Sequence, residues 1–206
     1  MTRVILIRHG RTGWNRSRRM QGGENDAVLD QEGERKARSL ADRLKAEKIK
    51  AVYSSPLSRA MGTAGRIAEG RRLAVIEDPA FREMDCGTLS GADIQDVGFR
   101  LQRIIAGGNE KELLFAGHGG ESCDELQKRA WTAILKKVEK HRDETIAVVS
   151  HYFVLASILS AAVGIPASQL GRFRMGAASV SMIDFDSDGP FLSLFNDRCH
   201  LSGERI

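Results

Sequence analysis

Cysteine is scarce in this chain. The three present, Cys86, Cys123 and Cys199, are odd in number and far apart. No C-x-x-C pair and no histidine at zinc-finger spacing accompanies them, which excludes a disulfide framework and a zinc module and points to a reducing, cytoplasmic compartment. Proline (4 residues) and aromatic residues (6%) are also few. With no linker, repeat or low-complexity tract among 206 residues, a single domain over 1–206 is expected. Long apolar runs are missing too. The longest, Tyr152 to Gly164, contains Ser157 and Ser160 and falls short of the ~20 residues of a membrane span. Val4-Ile5-Leu6-Ile7 is too short for a signal-peptide core. No membrane partner is implied. The formal charge of +4 and pI of about 9.1 favour anionic ligands through the summed field without implying nucleic acid.

What is present is an alternation of strand-like and helix-like segments. Val4 to Ile7 reads as a strand ending at Arg8-His9-Gly10. Asp30 is placed to cap a helix whose Ala37, Leu40, Ala41 and Leu44 share one face. Residues 51–54 form a second strand, after which Ser55-Pro56 reads as cap and first turn of a helix running to about Arg71. A third strand is expected over Leu73 to Ile76, and a short helix around Ala92 to Ile105. Ser122 and Glu125 form a capping box at the start of a long amphipathic helix. Thr145 to Ser150 then reads as a buried strand and 151–163 as a core helix. Val180 to Phe185 and Phe191 to Phe195 form a terminal hairpin around Asp186-Ser187-Asp188-Gly189-Pro190. Such alternation predicts a three-layer α/β fold with a mainly parallel central sheet flanked by helices, plus the C-terminal hairpin.

Ligands of open α/β sheets bind beyond the carboxyl ends of the strands. Three polar groups fall there: Arg8-His9, Ser54-Ser55 leading to Arg59, and Ser150-His151. Two imidazoles with two guanidinium groups make a poor metal site, because the cations oppose a metal, but they suit a phosphoryl group. A histidine nitrogen can attack phosphorus and hold it covalently, and a general acid must then protonate the leaving oxygen.

The run Leu6-Ile7-Arg8-His9-Gly10-Arg11-Thr12-Gly13-Trp14-Asn15 resembles the signature of the histidine phosphatase superfamily, also called phosphoglycerate-mutase-like. Tyr53-Ser54-Ser55-Pro56-Leu57-Ser58-Arg59-Ala60, Phe81-Arg82-Glu83-Met84-Asp85-Cys86-Gly87, Gly120-Glu121-Ser122 and Val149-Ser150-His151 are similar to its further blocks. The resemblance spans nearly the whole chain and implies a phosphoglycerate-mutase-like fold and a metal-independent phosphatase without cofactor. In it His9 is the phosphorylated nucleophile. Arg8, Asn15, Arg59 and His151 hold the phosphoryl group, and Glu83 is the proton donor. The partner implied is a phosphorylated small molecule. The rivals are a phosphoglycerate mutase using the same site, disfavoured by the compact stretch between Glu83 and His151, and a phospho-ligand binding module.

Tyr152 stands where the family usually has glycine, and either packs a helix end or narrows the substrate mouth. Arg16, Arg18 and Arg19, like Arg172 and Arg174, are either solvated surface or a grip on a second anionic group. Cys86 reads as packing and His141 as a surface residue.

Overall fold

The computed structural model describes residues 1–98 and 113–201. Its sheet contains β1 (Thr2–Arg8), β2 (Ile49–Ser54), β3 (Val75–Glu77), β4 (Thr145–Ser150), β5 (Val180–Asp186) and β6 (Gly189–Asp197), in the order β3-β2-β4-β1-β5-β6. The pairs β3/β2, β2/β4 and β4/β1 are parallel, whereas β5 runs antiparallel to β1 and to β6. The expected three-layer arrangement with a terminal hairpin is what the chain adopts.

Its cause lies in the period of two along a strand. Val4 and Leu6 of β1 point into one apolar cluster, Ile5 and Ile7 into another, and all four are at most 1% exposed. A strand buried on both faces reads as continuously apolar, as β1 and β4 do. Each such side chain contributes on the order of 1.5–3 kcal/mol of burial free energy. The first cluster is closed by α3 (Cys123–Lys140) and α4 (Tyr152–Ala162), the second by α1 (Gln31–Arg43) and α2 (Ser58–Glu69). Because α4 is buried nearly all round, it carries no polar face. No described helix is long and apolar enough to cross a membrane.

The expected caps of two helices are present. Gly33 N–H donates to Asp30 at 2.8 Å, and Ser122 and Glu125 exchange both bonds of the capping box. The start of α2 departs from expectation. Its N-cap, Leu57, makes no side-chain cap bond, and the Asp26 carboxylate instead accepts from the backbone N–H (2.6 Å) and hydroxyl (2.9 Å) of Ser58. The Ser55 hydroxyl sits ahead of the helix, accepting from Leu57 N–H at 3.3 Å and lying 2.7 Å from His151 Nε2. Of the helix expected around Ala92 to Ile105, 94–98 is helical and the rest lies outside the described residues.

Candidate active site

Where β1 ends, the backbone of His9 is held from two sides. Its N–H donates to Ser150 O at 3.0 Å, extending the ladder to β4, and its carbonyl accepts from Ala178 N–H at 3.1 Å. Gly10 follows because the chain passes close over α1: a β-carbon there would lie 2.7 Å from Gly33 O. The His9 ring is tied to its neighbour, Nδ1 lying 2.7 Å from the Gly10 carbonyl. A carbonyl can only accept, so Nδ1 carries the hydrogen of the neutral ring and Nε2 keeps its lone pair. Burial first, then the charges of Arg59 and Arg8, hold the imidazole pKa well below its ordinary 6.5. His9 is therefore neutral at physiological pH.

The ring borders a cavity of about 400 Å³ that Arg8, Asn15, Glu83 and Tyr152 also line. Arg8 donates from Nη1 to Met175 O at 2.5 Å, and its guanidinium carbon lies 5.4 Å from the centre of the Tyr152 ring. Its Nε is buried with no partner among the described residues. Asn15 accepts from the Thr12 N–H through Oδ1 at 3.1 Å, which sets the amide orientation and leaves its nitrogen to donate elsewhere. Glu83 is 5% exposed and accepts from the N–H groups of Met84 (2.9 Å) and Phe153 (3.4 Å), the latter in the first turn of α4. Burial raises its pKa above 4.5, outweighing the lowering by those two N–H groups and by Arg59 and Arg8.

Arg59 and His151 meet the site differently from the sequence expectation that both grip phosphoryl oxygens. Neither is on the cavity lining, and both are fully buried. Arg59 Nε donates to His151 Nδ1 at 3.2 Å, while its other nitrogens donate to Asn25 O (2.6 Å) and Gly22 O (3.2 Å). With Nδ1 accepting, neutral His151 carries its hydrogen on Nε2, which donates to Ser55 Oγ at 2.7 Å. The two residues stand behind His9, whose ring centre is 5.1 Å from that of His151. Burial lowers the Arg59 pKa to about 10, which leaves it charged at neutral pH. Ser55, expected both as a helix cap and among the polar groups at the strand ends, joins this cluster through His151.

Of the remaining candidates, Arg19 and Arg174 line the cavity, whereas Arg16, Arg18 and Arg172 are exposed away from it. Tyr152 forms cavity wall as well as packing edge-on against Phe153. Cys86 is fully buried with its thiol pKa raised by burial, as a packing residue should be. His141 is not a surface residue: it is partly buried, with Tyr53 Oη 2.9 Å from Nε2 and Glu144 2.8 Å from Nδ1. Met20, Gln21, Ile94, Val97 and Phe153 complete the walls, and nothing in their sequence context distinguishes them from core. Among the described residues no cluster of three or more His, Cys, Asp or Glu could hold a metal ion.

Residues 4–198 match the model of the histidine phosphatase superfamily, branch 1. The chain is 33% identical over 198 residues to a probable phosphoglycerate mutase of an Enterobacter species, covering 94% of this chain and 89% of that protein. It is 31% identical over 201 residues to phosphoserine phosphatase 1 of Hydrogenobacter thermophilus, covering 98% and 95%. Its fold superposes with a TM-score of 0.87 on a histidine-to-alanine variant of phosphoserine phosphatase from Entamoeba histolytica in complex with phosphoserine. That alignment has 26% identity and covers 98% of this chain and 100% of the other. The chain thus belongs to branch 1 of the histidine phosphatase superfamily, and is an enzyme of the phosphatase type.

Proposed function

We propose that this phosphatase hydrolyses phosphate monoesters in two steps through a phosphohistidine at Nε2 of His9. The observation that carries the reading is the tautomer of His9: Nδ1 is committed to Gly10 O, and Nε2 is the nitrogen left for the cavity. Its lone pair forms the N–P bond as the P–O bond to the leaving group breaks. The departing oxygen takes its proton from Glu83, whose raised pKa favours the acid form. Glu83, now a carboxylate, accepts a proton from water as that oxygen attacks phosphorus, and the N–P electrons return to Nε2. Arg8 and the Asn15 amide nitrogen hold the phosphoryl oxygens from the cavity wall. Arg59 and His151 supply charge and donors from behind, and direct contact with an oxygen requires them to exchange the bond they share. The arginines supply the positive charge that a metal supplies in other phosphoryl-transfer sites.

The cation count supports a substrate with a second anionic group. Arg8 and Arg59 act on His9 by their charge, and Arg19 and Arg174 remain on the lining, where Glu83 is the one carboxylate among the described residues. The phosphoserine bound by the Entamoeba relative carries such a group. A phosphorylated hydroxy acid, processed in the cytoplasm, fits this site. A mutase differs only in the acceptor that takes the phosphoryl group from His9.

A rapidly quenched reaction with phosphoserine should contain protein-bound phosphate stable to alkali and labile to acid, and His9→Ala should abolish it. Equal labelling of the His9→Ala protein removes His9 from this role. Transfer of the label to added monophosphoglycerate in preference to water identifies a mutase instead.

A further inference from the structure

Glu83 lies in a stretch without helix or strand: 83–86 form no regular structure, so its place is fixed by bonds from elsewhere. The Phe153 N–H holds its carboxylate, and one ion pair supplies two further bonds to the backbone of the stretch. Arg129, on α3, donates from Nε and Nη2 to the two Glu121 oxygens at 2.6 and 2.7 Å, a bidentate fork. The same guanidinium donates from Nη1 to Ala80 O at 2.8 Å and reaches Glu83 O from Nη2 at 3.5 Å. Glu121 adds its own N–H, which donates to Asp85 O at 2.9 Å. The pair therefore holds the backbone just before, at and just after Glu83.

The stretch also leans on Gly23, whose N–H donates to Met84 O at 2.9 Å. A β-carbon at Gly23 would lie 2.4 Å from Glu83 O. Behind Glu83 is a second cleft, of about 670 Å³, lined by Glu83, Arg129 and Glu121 among others. Glu83 is thus a partition between two spaces, with the cavity in front and the Arg129 guanidinium behind. A partition one residue thick moves unless it is braced.

We propose that Arg129, locked by Glu121, is a positioning residue that holds Glu83 at the distance proton donation requires. The role rests on the reading of Glu83 as general acid. Misplacement of a reacting group by about 1 Å can cost about 10²-fold in rate. A brace that only stabilised the fold would not discriminate between substrates. A brace of the proton donor must, because a poor leaving group needs the proton and a good one does not.

The test is single-turnover phosphorylation of His9 by an alkyl phosphate and by p-nitrophenyl phosphate. Arg129→Lys keeps the charge, but one ammonium with three donors cannot reproduce the planar fork that reaches four acceptor oxygens. It should slow the alkyl substrate by about tenfold and p-nitrophenyl phosphate by less than about threefold. Glu121→Gln, which unlocks the guanidinium and leaves it in place, should show the same selectivity more weakly and serves if Arg129→Lys does not fold. In the Glu83→Gln background, Arg129→Lys should add no further selectivity. Equal losses for the two substrates, or none, overturn the positioning role. Glu83→Gln alone separates the two claims: if it lacks leaving-group selectivity the general-acid reading fails, and if it shows selectivity that Arg129→Lys and Glu121→Gln lack, only the brace fails.

Discussion

Replacing Arg59 by Gln should move both edges of the pH–rate profile toward higher pH. Activity on this mechanism needs His9 neutral and Glu83 protonated, so the acid edge reports His9 and the alkaline edge Glu83. A nearby cation disfavours the protonated form of either group. It lowers the pKa of His9, where burial is the larger cause, and opposes the rise that burial imposes on Glu83. Arg59 Nε is 3.2 Å from His151, whose ring centre is 5.1 Å from that of His9. At an effective dielectric of about 20, a unit charge several ångströms away still acts on a buried group with an energy on the order of a few kcal/mol. His9 should therefore rise while staying below its ordinary 6.5, because burial, the larger cause of its lowering, persists. Glu83 should rise in the same direction. Gln retains a donor for the Gly22 and Asn25 carbonyls, and a thermal melt checks that the variant is folded. The assay is kcat/KM against pH for one substrate in both proteins, so the substrate's own ionisation cancels. NMR titration of the His9 ring, assigned with a His9→Asn variant, gives the same shift without turnover. Edges moving apart or toward each other, or a wild-type His9 titrating at or above 6.5, would refute the electrostatic reasoning.

Excess chelator should leave activity intact, while vanadate should inhibit competitively by occupying the Arg8 side of the cavity; loss on chelation and recovery with magnesium would contradict the site chemistry. Arg174→Gln should raise KM for phosphoserine several-fold and leave p-nitrophenyl phosphate within about twofold, since only the former offers a second anion to a cavity-lining arginine. Asp184, held below the usual carboxylate range chiefly by its hydrogen bond from Arg3 (2.7 Å), contributes stability above pH 3.8 that is lost as pH falls through its folded pKa. Urea melts of Asp184→Asn should therefore show a deficit of about 2 kcal/mol near neutral pH that shrinks in acid. Ser122→Ala should cost about 1 kcal/mol by removing the cap of α3, with turnover unchanged.

The layer order and most helix ends were legible because they depend on local chemistry. Apolar runs at 4–7 and 145–150 have one stable environment, between two layers, and Ser122 with Glu125 caps α3 using atoms three residues apart. The misreadings share one cause, which is a partner distant in sequence. Ser55-Pro56 has every local mark of a helix start, but the helix begins at Ser58, whose N–H is capped by Asp26, while the Ser55 hydroxyl also bonds His151, 96 residues away. His141 sits among charged neighbours, yet Tyr53 of β2 reaches it across 88 residues. At the site, His9 stood out by its type and its place at a strand end, and Glu83 only through the resemblance of its block to the family. Ile94 and Val97 did not, because an apolar wall facing a cavity and one facing a core have the same composition.

The two histidines stand at the ends of neighbouring parallel strands, with Arg8 opposite Ser150 in the register of β1 and β4. Their separation is therefore a lattice constant of the sheet, set by backbone ladders rather than by flexible side chains. Protons on those ladder amides should exchange only in global unfolding, whereas the cavity walls at 94–98 and 171–174 belong to short peripheral segments that open at lower free energy. The spacing of the two histidines is coupled to the stability of the whole molecule, and the shape of the substrate mouth is not. Substitutions at Ile94 or Arg174, which line the cavity from outside the sheet, should then alter the substrate mouth without loosening the histidine pair.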